Sequence, residues 1–433
     1  MCARDNHDWL ERERLCLASA MQRTSDPTFG PVIVRGQGSR VWDAENRLYF
    51  DLTCGYSAAN FGHAFPPLVS VAREQLERLT HLTGLPHPGR AELAQRLVRT
   101  CGGHANDKVL FNTSGSRAVE SAWKAAVSFR PGAIVALTPA YHGRSLSTSG
   151  LSDTPRIASL EPPEHMAHRR PLHEFPYCAA CPLSLTYPSC ELACQRSCLD
   201  WLQRSAESVS AVIVEPALGA RGYIAPPAAA WHRLREVTAR HGILMIADEI
   251  QTGLGRCGDW LLSRVQGWQA DLVVLGKSLG GGITPISAVV GRAEVLDAIP
   301  PGSESETFAA SPLATALGCE VHRQLETGDW FQRAGHIGRT LVSALLESAA
   351  CRTAEYPPAR IETLGASAVL EFYGCSPDGA QSAANARRFA ERLVRAGLLI
   401  HYSGPYATRI VLLPALTISD EELAEVCHRC ATA

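Results

Sequence analysis

Along the chain, short unbroken apolar runs alternate with stretches whose apolar positions recur every three or four residues. Runs of the first kind, bounded by Gly and polar turns, mark strands buried on both faces. They fall at 108–111, 133–137, 211–214, 243–247, 272–275 and 286–291. The helical period is carried by 67–79, 91–100, 228–240 and the stretches that open within NTSGSRAVESAWKAAVSF and SETFAASPLATALG. Strands and helices in this alternation predict an α/β unit on a mainly parallel sheet.

The two ends of the chain read differently. Residues 1–30 form a helical arm broken at Pro27 and Gly30, and VIVRGQGSRVWDAENRLYFDL alternates like a small antiparallel meander. A Gly/Pro/aromatic loop over 55–67 can line a pocket with Tyr56 and Asn60. In the last hundred residues, helices over 330–350 and 383–396 alternate with strands over 368–372 and 408–412. Ser419 and Glu422 form a capping box for the closing helix. A length of 433 residues suits one large α/β unit with a smaller domain.

Composition narrows the class. Apolar content of 46%, charged content of 19% and a formal charge of −2 are those of a soluble globular protein with no general pull toward nucleic acid or anionic membrane. No apolar run approaches the roughly 18 residues of a membrane helix. The charged N-terminal MCARDNHDWLERERLC lacks a secretory core, so a cytoplasmic location is expected. In that compartment the 15 cysteines are expected as thiols, metal ligands or reactive groups.

The chemistry concentrates in ILMIADEIQTGLGRCGDWLLSRVQGWQADLVVLGKSLGGG, residues 243–282. Two buried runs end close to Asp248 and Lys277, and ligands of open parallel sheets sit at the carboxyl ends of the strands. Burial lowers a lysine's pKa and suits it to form a Schiff base with a carbonyl. A carboxylate on the same rim can hold a proton on a pyridine nitrogen, so the pair predicts pyridoxal phosphate. Taken singly, Asp248 reads as a helix cap and Lys277 as a loop lysine. Ser114, Gly115 and Ser116, between a strand and a helix, are candidates for phosphate binding through backbone N–H groups. They also read as a simple cap. Tyr141 can stack on a flat ring and Arg144 can grip a carboxylate.

These motifs resemble the class III pyridoxal-phosphate aminotransferases, the ornithine, 4-aminobutyrate and ω-amino acid group. The resemblance runs from about Val32 to the C-terminus and is most specific in LMIADEIQTGLGRCG, with Lys277 standing 29 residues after Asp248. It implies a fold type I transferase with a mainly parallel seven-stranded sheet. The large domain is expected over 61–325, with a Cys-rich insert over 165–200; segments 1–60 and 326–433 would form the small α+β domain. By the same resemblance, Lys277 carries the Schiff base, Asp248 pairs with the pyridine nitrogen and Gln251 hydrogen-bonds the phenolic oxygen. Gly115 and Ser116 hold the phosphate, with Thr307 supplied by the other subunit of a homodimer. Tyr141 stacks on the ring beside His142, Glu215 lies near the cofactor's edge, and Tyr56 and Arg144 line the substrate pocket.

The chain departs from the family in its gate. Relatives that use glutamate pair a Glu, five residues after the Glu-Pro glutamate, with an Arg before the C-terminal Pro-Pro-Leu; here those positions are Ala220 and Val411. Arg409 or Arg221 can substitute. Arg117 replaces a family Glu and is expected to add positive charge beside the phosphate loop. The favoured reading is an aminotransferase with a non-glutamate or unusual amino acid and a carbonyl co-substrate. One alternative is γ-elimination, γ-replacement or C–C bond formation in specialised metabolism, with a bulky amino acid such as S-adenosylmethionine. A non-catalytic metal- or cluster-binding scaffold is a third reading, opposed by the intact Asp248, Gln251 and Lys277. Within the insert, Cys178, Cys181, Cys190 and Cys194 are candidate ligands for zinc or an iron–sulfur cluster. Cys190, Cys194 and Cys198 also read as one helical stripe. The preceding His165, His168, Arg169, Arg170 and His173 read as a solvated loop.

Overall fold

In the computed structural model, the predicted alternation becomes a chain of two compact units, residues 67–332 and residues 1–66 with 333–433. Residues 5–18, 31–137, 139–152, 167–170, 175–181, 183–348, 357–372, 380–403 and 408–433 are described, with 167–170, 180 and 380 by backbone alone. Among the described residues no helix is long and apolar enough to cross a membrane.

In the second unit, residues before 67 form β1 (Ile33–Gln37), β2 (Arg40–Asp43) and β3 (Leu48–Asp51). The 67–332 unit contributes β4 (Asp107–Asn112), β5 (Ala133–Leu137), β6 (Ala167–Arg170), β7 (Val209–Val214), β8 (Leu244–Asp248), β9 (Leu272–Leu275) and β10 (Ser287–Arg292). These seven strands form one sheet in the order β4-β10-β9-β8-β7-β5-β6. β10 runs antiparallel to both its neighbours, and β5 to β9 with β6 pair in parallel. The seven-stranded, mainly parallel expectation holds.

Burial explains why the apolar runs were continuous. Every residue of β5, β7, β8 and β9 is buried. The helix Gly115–Phe129, capped by Ser114, lays a face of small residues (Ala118, Ala122, Ala126) on Ile134, Ile213, Ile246, Leu272 and Val289. Small side chains let the helix axis approach the sheet closely, which fixes where its N-terminus meets the strand ends.

One segment corrects the sequence reading. His168, Arg169 and Arg170, expected in a solvated loop, have the backbone of β6, an edge strand paired with β5. His165 and His173 lie outside the described residues.

The remaining strands are β11 (Arg360–Glu362), β12 (Ala368–Glu371), β13 (Leu398–Leu399), β14 (His401–Ser403) and β15 (Arg409–Leu412). They form two four-stranded sheets, β1-β2-β3-β13 and β11-β12-β15-β14. The capping box at Ser419 and Glu422 forms and starts the helix Asp420–Thr432.

Candidate active site

The site grows from the carboxyl ends of β8 and β9. β8 terminates on Asp248; β9 is followed by Gly276 and Lys277. Lys277 is held at φ +44°, a left-handed conformation that costs a non-glycine residue about 1 kcal/mol or more. Its amine donates to Gln251 Oε1 at 2.7 Å. Burial drives the Lys277 pKa down to about 8, against the opposing pull of Asp248 and Glu215. The other two lysines of the sequence, Lys108 and Lys124, are paired with Asp297 and Glu304.

Two loops converge on this pair. His142, fully buried, sets Nδ1 2.8 Å from Asp248 Oδ2, and the backbone N–H of Ile250 donates to Asp248 Oδ1 at 3.2 Å. Glu215 stands one residue beyond β7, and its two carboxylate oxygens bridge separate loops. Tyr141 N–H donates to one at 2.8 Å and Gly219 N–H to the other at 2.9 Å. Burial raises the Glu215 pKa to about 7, with the Asp248 charge adding to the rise and His142 opposing it.

The phosphate candidates lie at the start of helix Gly115–Phe129. Ser114 spends its side chain on Arg117 N–H, leaving the first-turn N–H groups of Gly115 and Ser116 for an anion. Ser116 Oγ accepts from Arg144 N–H at 3.3 Å. A Cβ on Gly143, whose φ is +128°, would fall 2.4 Å from Ser116 Oγ, so only glycine lets the two loops meet. Arg144 is exposed, with its guanidinium 5.6 Å from the Tyr141 ring centroid. Thr307 is exposed, and its carbonyl accepts from the Thr83 hydroxyl at 3.0 Å.

The candidates do not all gather in one unit. Tyr56 and Arg409 belong to the unit of 1–66 and 333–433. There Tyr56 has φ +57° and packs edge-on against His401. Arg409 is buried and paired with Glu371 at 2.5 Å and Glu362 at 3.2 Å.

Three expectations are corrected. Arg117 adds no unbalanced charge, because Glu120, Glu306 and Glu304 surround its guanidinium at 2.7, 3.0 and 3.4 Å. Glu304 and Glu306 escaped sequence reading, although two acids just before Thr307 were a visible signal. The cysteine stripe does not form. Leu192 takes φ +54°, Cys190 sits in a turn, and the regular helix begins only at Arg196. Metal binding by Cys178, Cys181, Cys190 and Cys194 finds no support, since among the described residues no group of three or more His, Cys, Asp or Glu can hold an ion.

A seven-stranded sheet with one reversed strand, carrying a lysine and a carboxylate at its carboxyl rim, defines a fold type I transferase. Solved structures agree. An amine transaminase from an uncultivated Pseudomonas species has a TM-score of 0.80 at 27% identity, over 96% of this chain and 97% of its own. Ornithine aminotransferase from Toxoplasma gondii has a TM-score of 0.82 at 25% identity, over 99% and 94%. The chain belongs to the class III aminotransferases, whose family profile matches residues 20–433. It is 32% identical to 4-aminobutyrate aminotransferase of Escherichia coli, covering 90% of each chain. These relatives are all aminotransferases by name and lend no support to the specialised-metabolism alternative.

Proposed function

We propose that this enzyme moves an amino group from an amino acid to a carbonyl acceptor, with pyridoxal phosphate attached through Lys277. One observation carries the reading: Gln251 Nε2 is buried with no hydrogen-bond partner while its Oε1 faces the Lys277 amine. A buried amide N–H without an acceptor is costly, and the phenolic oxygen of the cofactor is the acceptor that position calls for. His142 Nε2 is likewise buried without a partner.

When bound, the cofactor supplies the ring that withdraws electrons from a substrate carbon as it loses its proton. The chain's own groups do the rest. Asp248 holds a proton at the ring nitrogen, and His142 keeps that carboxylate aimed. Gly115 and Ser116 would hold the phosphate through N–H groups, with Thr307 of a second subunit completing the cradle in a homodimer. Glu215 fixes the backbone of Tyr141, whose ring would cover the cofactor's face. With its pKa lowered to about 8, Lys277 is partly neutral near physiological pH and can take and return a proton.

The donor we propose is an amino acid that does not depend on a glutamate gate. Ala220 and Val411 support this, as does the engagement of Arg409 with two carboxylates. The test is a panel of amino donors, S-adenosylmethionine included, each with an oxo-acid acceptor. The expected result is oxo product and new amine in equal amounts over many turnovers. Loss of a γ-substituent with no amine transferred would contradict the proposal.

A further inference from the structure

Three carboxylates lie beside the anion-binding start of helix Gly115–Phe129, where a phosphate site should repel them. Glu306 is closest to the loop. Its Oε1 accepts from Asn112 Nδ2 and Arg117 Nε, both at 3.0 Å, and its Oε2 accepts from the Thr113 N–H at 3.1 Å and hydroxyl at 2.7 Å. Glu304 accepts from Ser121 and Lys124, each at 2.5 Å. Glu120 accepts from the Ser145 hydroxyl at 2.5 Å, next to the loop that carries Tyr141 and Arg144.

Arg117 touches all three. With Lys124 it leaves one uncompensated negative charge in the cluster; without Arg117 there would be two. Three nitrogens of one planar guanidinium face three carboxylates, an arrangement a lysine ammonium cannot reproduce. A glutamate at 117 would face Glu306 and Glu304 as like charges. Arg117 is therefore matched in charge to the acidic sequence Glu304-Ser305-Glu306.

We propose that Arg117 is a positioning residue for the cofactor's phosphate. It clamps Glu306 over Asn112 and Thr113 so that the Gly115 and Ser116 N–H groups keep their aim, and it screens the acidic segment from the phosphate. The inference rests on the cofactor reading above.

The experiment measures binding of pyridoxal phosphate and of pyridoxal, which lacks the phosphate, to the full-length protein by absorbance titration. Arg117→Ala, Arg117→Lys, Glu306→Gln and the double variant Arg117→Ala/Glu306→Gln are compared with wild type. Arg117→Ala is expected to weaken pyridoxal phosphate by about tenfold or more and to leave pyridoxal within about twofold. The double variant should recover part of the loss, Arg117→Lys only part, and Glu306→Gln alone should not weaken pyridoxal phosphate more than Arg117→Ala does. Equal loss of both ligands in Arg117→Ala, or no recovery in the double variant, overturns the proposal. If Arg117→Ala fails to fold, the Arg117→Lys ratio of the two affinities decides, and a ratio equal to wild type overturns it. A wild type that binds no pyridoxal phosphate overturns the reading beneath it instead.

Discussion

Replacing Glu215 with Gln tests whether a buried, titrating carboxyl group braces the site. Glu215 faces His142, Asp248 and Lys277, and its folded pKa is raised from 4.5 to about 7, chiefly by burial. A raised folded pKa favours the protonated form in the fold. Its stabilising contribution is therefore complete below about pH 4.5, is lost as pH rises through about 7, and stays lost above that. The whole gap is worth about 3.4 kcal/mol, of which about 2.5 kcal/mol falls between about pH 5 and about pH 8.5. In Glu215→Gln, the new amide would keep one of the two backbone contacts and turn its NH2 toward the other donor, a cost of about 1–3 kcal/mol at every pH. Urea unfolding of the cofactor-free protein at both pH values gives the variant-minus-wild-type difference. That difference should shift by about 2.5 kcal/mol in the variant's favour on going from low to high pH. A difference constant to within about 0.5 kcal/mol would refute the assignment of the titration to Glu215.

Gly219→Ala places a Cβ 2.7 Å from the Gln251 side chain, so Gln251 must swing away from Lys277. Unfolding free energy should change by less than about 1 kcal/mol while kcat/KM falls by about tenfold or more, because the fold absorbs the shift and the site does not. Glu371→Gln leaves the buried Arg409 with Glu362 as its carboxylate partner, and should destabilise the protein by about 3 kcal/mol in denaturant. The double change Glu371→Leu with Arg409→Met should cost less than Glu371→Gln, since it leaves no buried charge behind.

Legibility in the sequence followed the range of each interaction. β5, β9 and the helix Ala228–Arg240 match their predicted bounds, because uninterrupted apolar runs and a clean helical period are local signals. β6 went unread because Ala-His-Arg-Arg carries no apolar run and owes its strand to β5 alongside. The reversal of β10 has no counterpart in periodicity, which carries no information on strand direction. The cysteine stripe failed because spacing cannot register a left-handed Leu192. Asp248 and Lys277 were legible because one ends and the other closely follows a recognisable strand, whereas Gln251 was expected from the family resemblance alone. Arg117 shows the limit: Glu120, three residues along the same helix, is a local partner, but Glu306 lies 189 residues along the chain, where no local pattern links the two.

Whether Lys277 holds the cofactor is open to direct chemical trapping. The sequence has only three lysines, and the other two sit in ion pairs with Asp297 and Glu304. Borohydride reduction of the protein loaded with pyridoxal phosphate, followed by peptide mass mapping, should place a single pyridoxyl group on the peptide containing Lys277. A protein that remains unlabelled, or carries the group on Lys108 or Lys124 instead, would show that Lys277 does not hold the cofactor.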